Sequence, residues 1–242
     1  MTQARTAYFD PASLSDAERD HYQSLLRRIE ADIPVEHSTV DIAGYDYPWL
    51  KVIDPDQLLE NALSRTDRSP EELDPFWAAT WRAAIGLDRY MARHPIQGQR
   101  VLELGCGSGR AGIAAALRGA IVTMTDAAIE GMWVAEYNAY PVRHATTIKR
   151  LHWENETLEE SPFSWIIGSD IVYDPKLWPV LEPCIRRHLA PGGKVILTEP
   201  QRQTGDRFLN WIRDKQWHVA ITIVDLEDQQ REIRIFELTR PI

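Results

Sequence analysis

Two rhythms of apolar and polar positions divide this 242-residue chain near residue 100. Ahead of that point the apolar residues mostly recur at helical spacing. "SDAERDHYQSLLRRIEADIP" reads as an amphipathic helix capped by Ser15, with Glu18 three residues on and Pro34 just past its end. "STVDIAGYDYPWLKVI" instead has two alternating apolar runs around Gly44, which predicts a hairpin. "DPDQLLENALS" reads as a short helix. From Ser69, "SPEELDPFWAATWRAAIGLDRYMARHP" reads as helix, broken at Pro75 and ended before Pro95. On such a helix Trp77 and Trp81 share a face at i, i+4.

From Arg100 the pattern predicts strands at 100–105, 120–125, 146–152, 164–169, 193–199, 218–226 and 231–239. Helical stretches near 110–118, 129–140, 177–189 and 205–216 separate the first six, except between the third and fourth strands. Strands alternating with helices imply an α/β fold, a mostly parallel sheet covered on both faces. The last two strands are joined by little more than "EDQQ". A parallel crossover needs a dozen or more residues, so this pair is an antiparallel hairpin.

Composition sharpens the picture in two places. Apolar residues make up 44% of the chain and charged residues 26%, ordinary values for a globular protein. No apolar run approaches the roughly 18 residues of a membrane span, and the N-terminus reads as no signal peptide. Cys106 and Cys184 are too few for a disulfide framework or a zinc site, so the expectation is a soluble cytoplasmic protein with reduced thiols. The net charge of −9 is uneven: residues 1–75 carry seven basic and sixteen acidic side chains, and the remainder balances. That argues against a nucleic-acid footprint and suits either a basic, lysine-bearing partner or an ordinary solvated face.

The candidate chemistry begins at "VLELGCGSGR", residues 101–110. A phosphate loop of the GxxxxGK[ST] type is excluded, because Arg110 follows Gly109 and no Lys-Ser/Thr pair exists. A dinucleotide fingerprint is weak, because Arg110 occupies the place of its third glycine. Glu103, two residues before the first glycine, would repel a pyrophosphate but suits an amine or ordered water. Asp126 ends the next strand, where an acid can accept two hydrogen bonds from ribose hydroxyls. A ligand with a ribose, an amine and no phosphate is S-adenosylmethionine.

At this point the chain resembles the class I S-adenosylmethionine-dependent methyltransferases. "ELGCGSG" looks like their first motif, comprising Glu103, Gly105, Cys106, Gly107, Ser108 and Gly109, and Asp126 looks like their ribose acid, 17 residues after the last glycine. Their seven-stranded, Rossmann-like sheet with an antiparallel last strand matches the hairpin above. "PFWAATWRAA", "LHWEN" and "GSDIVYDPKLWPVL" further resemble the family-16 protein-lysine methyltransferases, the electron-transfer-flavoprotein β-subunit lysine methyltransferase group among them. Their D-x-x-Y motif corresponds here to Asp170 through Tyr173. Relatives often have Trp-Pro where this chain has Trp81-Arg82.

The resemblance implies a domain over residues 76–242, preceded by an N-terminal helical and hairpin extension, 1–75, acting as lid or docking surface. It implies cofactor contacts at Trp81, the glycine loop, Asp126, Trp153 and Ser169, and catalytic roles for Asp170 and Tyr173 at the rim where a protein lysine arrives. Trp153 would lie against adenine. Trp81 would either cover the sulfonium or pack in the core. Glu199, closing the fifth strand, is a candidate either to face the substrate or to serve the structure alone, and His152 is expected to point to the opposite face of its strand. The chemistry needs no metal. A small-metabolite methyltransferase and a silent cofactor-binding module remain as alternatives.

Overall fold

The computed structural model describes residues 5–6, 9–58 and 75–240. Its N-terminal part holds a short strand β1 (Arg5–Thr6), helix α1 (Asp16–Asp32), and the predicted hairpin β2 (Val35–Ile42) and β3 (Tyr45–Val52). Ser15 and Glu18 form the predicted capping box. The hairpin turns on Ala43 (φ 57°) and Gly44 (φ 80°), the doubly left-handed turn that matches the right-handed twist of paired strands. Residues 55–58 are helical; the rest of that predicted helix, and the start of the one from Ser69, lie outside the described residues.

From residue 75 the chain makes a 3-10 turn (Pro75–Ala78) and helix α2 (Arg82–Met91), then alternates. The elements are β4 (Arg100–Leu104), α3 (Arg110–Leu117), β5 (Ile121–Asp126), α4 (Ile129–Ala139), β6 (Thr146–Arg150), β7 (Phe163–Ser169), α5 (Trp178–His188), β8 (Leu189–Glu199), α6 (Gln203–Asp214), β9 (His218–Val224) and β10 (Ile233–Thr239). The seven strands run in the order β6-β5-β4-β7-β8-β10-β9. β10 lies antiparallel to both neighbours, and the other pairings are parallel. The predicted α/β class and terminal hairpin are therefore present. As expected, no helix links the third and fourth strands of the set.

Alternation within the strands sends side chains to two cores. Val101, Val122, Met124, Ile167, Ile196 and Ile235 face α2 and α3, where Leu87, Ile113 and Ala114 meet them. Leu102, Leu104, Ile166, Val195, Leu197 and Phe236 face α5 and α6, against Leu181, Ile185 and Phe208. A sheet buried on both faces explains the near-continuous apolar runs of its central strands. No helix among the described residues is long and apolar enough to cross a membrane.

The N-terminal elements form a third cluster. Leu25, Ile29 and Ile33 pack with Leu50 and Val52 of β3 and with Val134 and Tyr137 of α4. Buried Asn138 fixes the junction. Its Nδ2 donates to the Leu50 carbonyl (3.2 Å) and to the Ser108 carbonyl (3.1 Å), while its Oδ1 accepts from Leu50 N–H (2.8 Å). Tyr47 donates its hydroxyl to the Asn138 carbonyl at 2.8 Å. Arg110, in the place of a third Rossmann glycine, donates to the Asp41 carbonyl of the hairpin. One asparagine and one arginine thus tie the N-terminal sheet to the back of the glycine loop.

The segment around Pro75 departs from expectation. The helical turn stops at Ala78, and Trp81 is the extended N-cap of α2 (φ −77°, ψ 137°), so Trp77 and Trp81 do not share a helical face. Tertiary contacts override the local periodicity. Trp77 is drawn onto α4 so closely that a Cβ at Gly131 would meet its ring at 3.0 Å. Trp81 turns back to donate its indole N–H to the Phe76 carbonyl at 2.8 Å.

Candidate active site

The glycine loop joins β4 to α3 at the carboxyl edge of the sheet, where ligands bind in such folds. Gly105 (φ 63°) and Gly107 (φ 52°) are both left-handed. Space is short as well: a Cβ at Gly105 would clash with Ile171 at 2.8 Å, and one at Gly107 would press on the Trp77 carbonyl at 3.1 Å. The loop is pinned from β5, with Cys106 N–H donating to the Thr125 carbonyl at 2.9 Å. Asp126 accepts from Gly107 N–H on Oδ2 (2.8 Å) and from Ala128 N–H on Oδ1 (3.0 Å). Its carboxylate is thereby aimed and its negative charge stabilised while it stays partly exposed.

A cavity of about 520 Å³ opens above this loop, within the usual range for a cofactor site. Trp81, Gly105, Cys106, Gly107, Ser108, Asp126, Trp153, Ser169, Asp170 and Tyr173 all line it. Ten of the twelve residues singled out in the sequence thus converge from five segments. Burial pushes the Cys106 thiol up, helped by the nearby Asp126 and Glu103 carboxylates, so Cys106 is a poor nucleophile here.

The other two residues do not line the cavity. Gly109 (φ 95°) is the N-cap of α3 and sits against Met124 and Ala135. Glu103 points the other way from the expected loop-facing position. It is fully buried, with its carboxylate set against the backbone of Gly112. Burial, and to a lesser degree Asp126, pushes its pKa up to about 8, so it is largely a neutral acid beneath the loop near pH 7.

Two neighbouring expectations are corrected. β6 ends at Arg150, and Leu151 after it is buried, its N–H donating to the Asp126 carbonyl at 3.1 Å. His152 is therefore past the strand and lines the cavity beside Trp153. Glu199 faces away from it. Its Oε1 accepts from Arg234 Nε (2.6 Å) and its Oε2 from Arg202 N–H (2.6 Å), making it a buried brace between β8, β10 and α6.

Asp170 has surroundings that the sequence did not announce. It is buried, adopts φ 57°, and its N–H donates to the Thr198 carbonyl at 2.8 Å. Arg202 grips its carboxylate bidentately, with Nη2 at 2.9 Å from Oδ2 and Nη1 on Oδ1. The Arg202 guanidinium also lies 5.9 Å from the Trp81 ring centre. Phe76 completes the rim, edge-on to Tyr173 (5.6 Å) and to Trp81 (6.0 Å).

Strand order, glycine loop and strand-end acid define a Rossmann-like methyltransferase fold. The fold is shared with the glycopeptide N-methyltransferase MtfA, at TM-score 0.59 and 16% identity over 66% of this chain and 90% of that one. It is shared too with a TehB-like SAM-dependent methyltransferase from Corynebacterium glutamicum, at TM-score 0.52 and 20% identity over 64% and 88%. A family model for lysine methyltransferases matches residues 73–215, and the chain belongs to that family. It is similar to the protein N-lysine methyltransferase METTL21A of Danio rerio, 31% identical over 67% of this chain and 77% of that protein. Similarity extends to the electron transfer flavoprotein beta subunit lysine methyltransferase of Xenopus laevis, 34% over 53% and 54%. EEF1A lysine methyltransferase 3 of Mus musculus matches at 31% over 60% and 65%.

Proposed function

We propose that this protein transfers the methyl group of S-adenosylmethionine to the side-chain amine of a lysine in an acceptor protein. The observation that carries this reading is a single cavity with the glycine loop and Asp126 at one end and Asp170 and Tyr173 at its rim. The residues fit the cofactor. Asp126 is a fixed acceptor for ribose hydroxyls, the left-handed Gly105 and Gly107 bring bare backbone to the cavity wall, and Trp153 offers a ring for adenine. Bound there, S-adenosylmethionine supplies a methyl carbon activated by its sulfonium.

The protein's task is positioning and control of a proton. Alignment of an amine with a methyl group contributes on the order of 7–11 kcal/mol to such displacements. A lysine of pKa near 10.4 must first lose its proton, which costs about 4–5 kcal/mol at neutral pH. Phe76, Trp81 and Tyr173 lower that cost by removing water from the amine. Arg202 lowers it again, because its pairing with Asp170 leaves a nearly neutral couple in place of a bare carboxylate that would hold the lysine as ammonium. Asp170 keeps lone pairs with which to orient the amine, Tyr173 packs on the lysine stem, and the proton leaves to water.

Residues 76–242 are the catalytic domain in this reading, and residues 1–75 dock the acceptor. Docking is favoured over a lid by charge, since residues 1–75 carry sixteen acidic and seven basic side chains, which suits a basic acceptor. No nucleic-acid or membrane partner is invoked. A cytoplasmic setting is supported by two buried free thiols, Cys106 and Cys184. Asp170→Asn tests the assignment, since asparagine tolerates φ 57° and keeps the shape. S-adenosylmethionine affinity by titration calorimetry stays near normal, and transfer to lysine falls at least tenfold, about 1.4 kcal/mol. Tyr173→Phe, which keeps the ring, loses less. Undiminished lysine transfer by D170N removes Asp170 from the mechanism.

A further inference from the structure

A second cavity of about 440 Å³ adjoins the first. Trp81 and Asp170 line both, so the Trp81–Arg202–Asp170 stack is the partition between them. The outer cavity is further lined by Arg82, Pro200, Arg202, Gln230 and Arg231. Three guanidinium groups therefore surround one small space. Asp170 balances Arg202, and Asp228 balances Arg82 through Nε (2.8 Å) and Nη2 (2.6 Å). Arg231 gives one N–H to the Gln201 carbonyl at 3.3 Å and has no acidic partner among the described residues. Among the residues lining the outer cavity and their ion-pair partners one positive charge is left over, Glu232 lying outside the lining with its carboxylate on Gln201 Nε2 at 3.3 Å.

We propose that this outer cavity reads the acceptor sequence: it takes an acidic side chain close to the target lysine, with Arg231 as its principal contact. The inference rests on the lysine-transfer reading above. Geometry connects the two, because one wall separates the space for the lysine from the space for its neighbour. Chemistry selects the occupant. Guanidinium groups match carboxylates in shape and charge, and Arg82 and Arg202 are held by their own acids, so Arg231 is left to bind. A basic neighbour is repelled by the same surplus charge, which adds discrimination to attraction. The overall acidity of the protein makes a local basic pocket at the active-site mouth the more selective.

The test uses the 242-residue protein with methyl-labelled S-adenosylmethionine and a cell lysate. Labelled lysines are located by mass spectrometry, and one labelled protein is then purified as the acceptor. Arg231 lies outside the cofactor cavity, so Arg231→Glu retains cofactor affinity by calorimetry, which also reports folding. We expect labelled lysines to have Asp or Glu within a few positions, and R231E to lower kcat/KM on that acceptor roughly tenfold or more. Replacing the acceptor's acid with lysine lowers transfer by the wild type and restores it with R231E. Labelled lysines without acidic neighbours, an unchanged kcat/KM for R231E, or no rescue by the charge swap overturns the proposal. Absence of lysine label with the wild type overturns the parent reading, and this one with it.

Discussion

Asn138→Ala removes three hydrogen bonds that join the N-terminal sheet to the glycine loop. The side chain is buried, and its loss leaves Leu50 N–H, the Leu50 carbonyl and the Ser108 carbonyl without their partner. A buried donor left unsatisfied, here Leu50 N–H, costs about 1–3 kcal/mol, and each of the other two lost bonds about 1 kcal/mol, so the total is roughly 3–5 kcal/mol. For a chain of this size 1 kcal/mol moves Tm by about 2–4 °C, which gives a fall of roughly 6–20 °C. The variant still folds, because natural domains hold about 5–15 kcal/mol. Calorimetric unfolding measures the fall, and titration of S-adenosylmethionine reports a weakened site, since the Ser108 carbonyl has lost its anchor. A Tm within about 2 °C of wild type refutes the view that Asn138 bolts the extension to the loop.

Asp126→Ala loses both the loop-holding bonds to Gly107 and Ala128 and the acceptor for ribose, so S-adenosylmethionine affinity should fall by a few kcal/mol, about a hundredfold or more; calorimetry showing unchanged affinity in a folded variant contradicts the cofactor assignment. Glu103 has its folded pKa raised to about 8 from an ordinary value of 4.5, so the folded state binds the extra proton between those limits. Its contribution to stability is fully present below about pH 4.5 and is lost as pH rises toward 8. Glu103→Gln removes that titration, and the Tm difference between variant and wild type should shift in the variant's favour from pH 5 to pH 8; a pH-independent difference shows that Glu103 is not titrating there.

The parts legible in the sequence were those whose chemistry is local. Gly105 and Gly107 declare a tight turn by themselves, and Asp126 follows from the strand before it. The hairpin of β9 and β10 followed from the shortness of its link. What stayed hidden depends on partners brought together by the sheet. Arg202 is 32 residues from Asp170, and Asn138 is 88 from Leu50, so no spacing rule joins them. Local signals also misled where tertiary contacts outweighed them. The i, i+4 spacing of Trp77 and Trp81 implied one helical face, but Trp77 packs on Gly131 and Trp81 caps α2. Glu199 stands at a strand end, as Asp126 does, yet Arg234 turns it into a brace.

Whether this cavity moves a methyl group onto a protein lysine is decided by following the label. The protein is incubated with S-adenosylmethionine carrying a tritiated methyl group and a protein extract, the protein fraction is hydrolysed to amino acids, and the radioactivity is resolved by chromatography. The expected result is label in methylated lysine, abolished by Asp126→Ala and reduced at least tenfold by Asp170→Asn. Label confined to small molecules, or carried by an amino acid other than lysine, would contradict it.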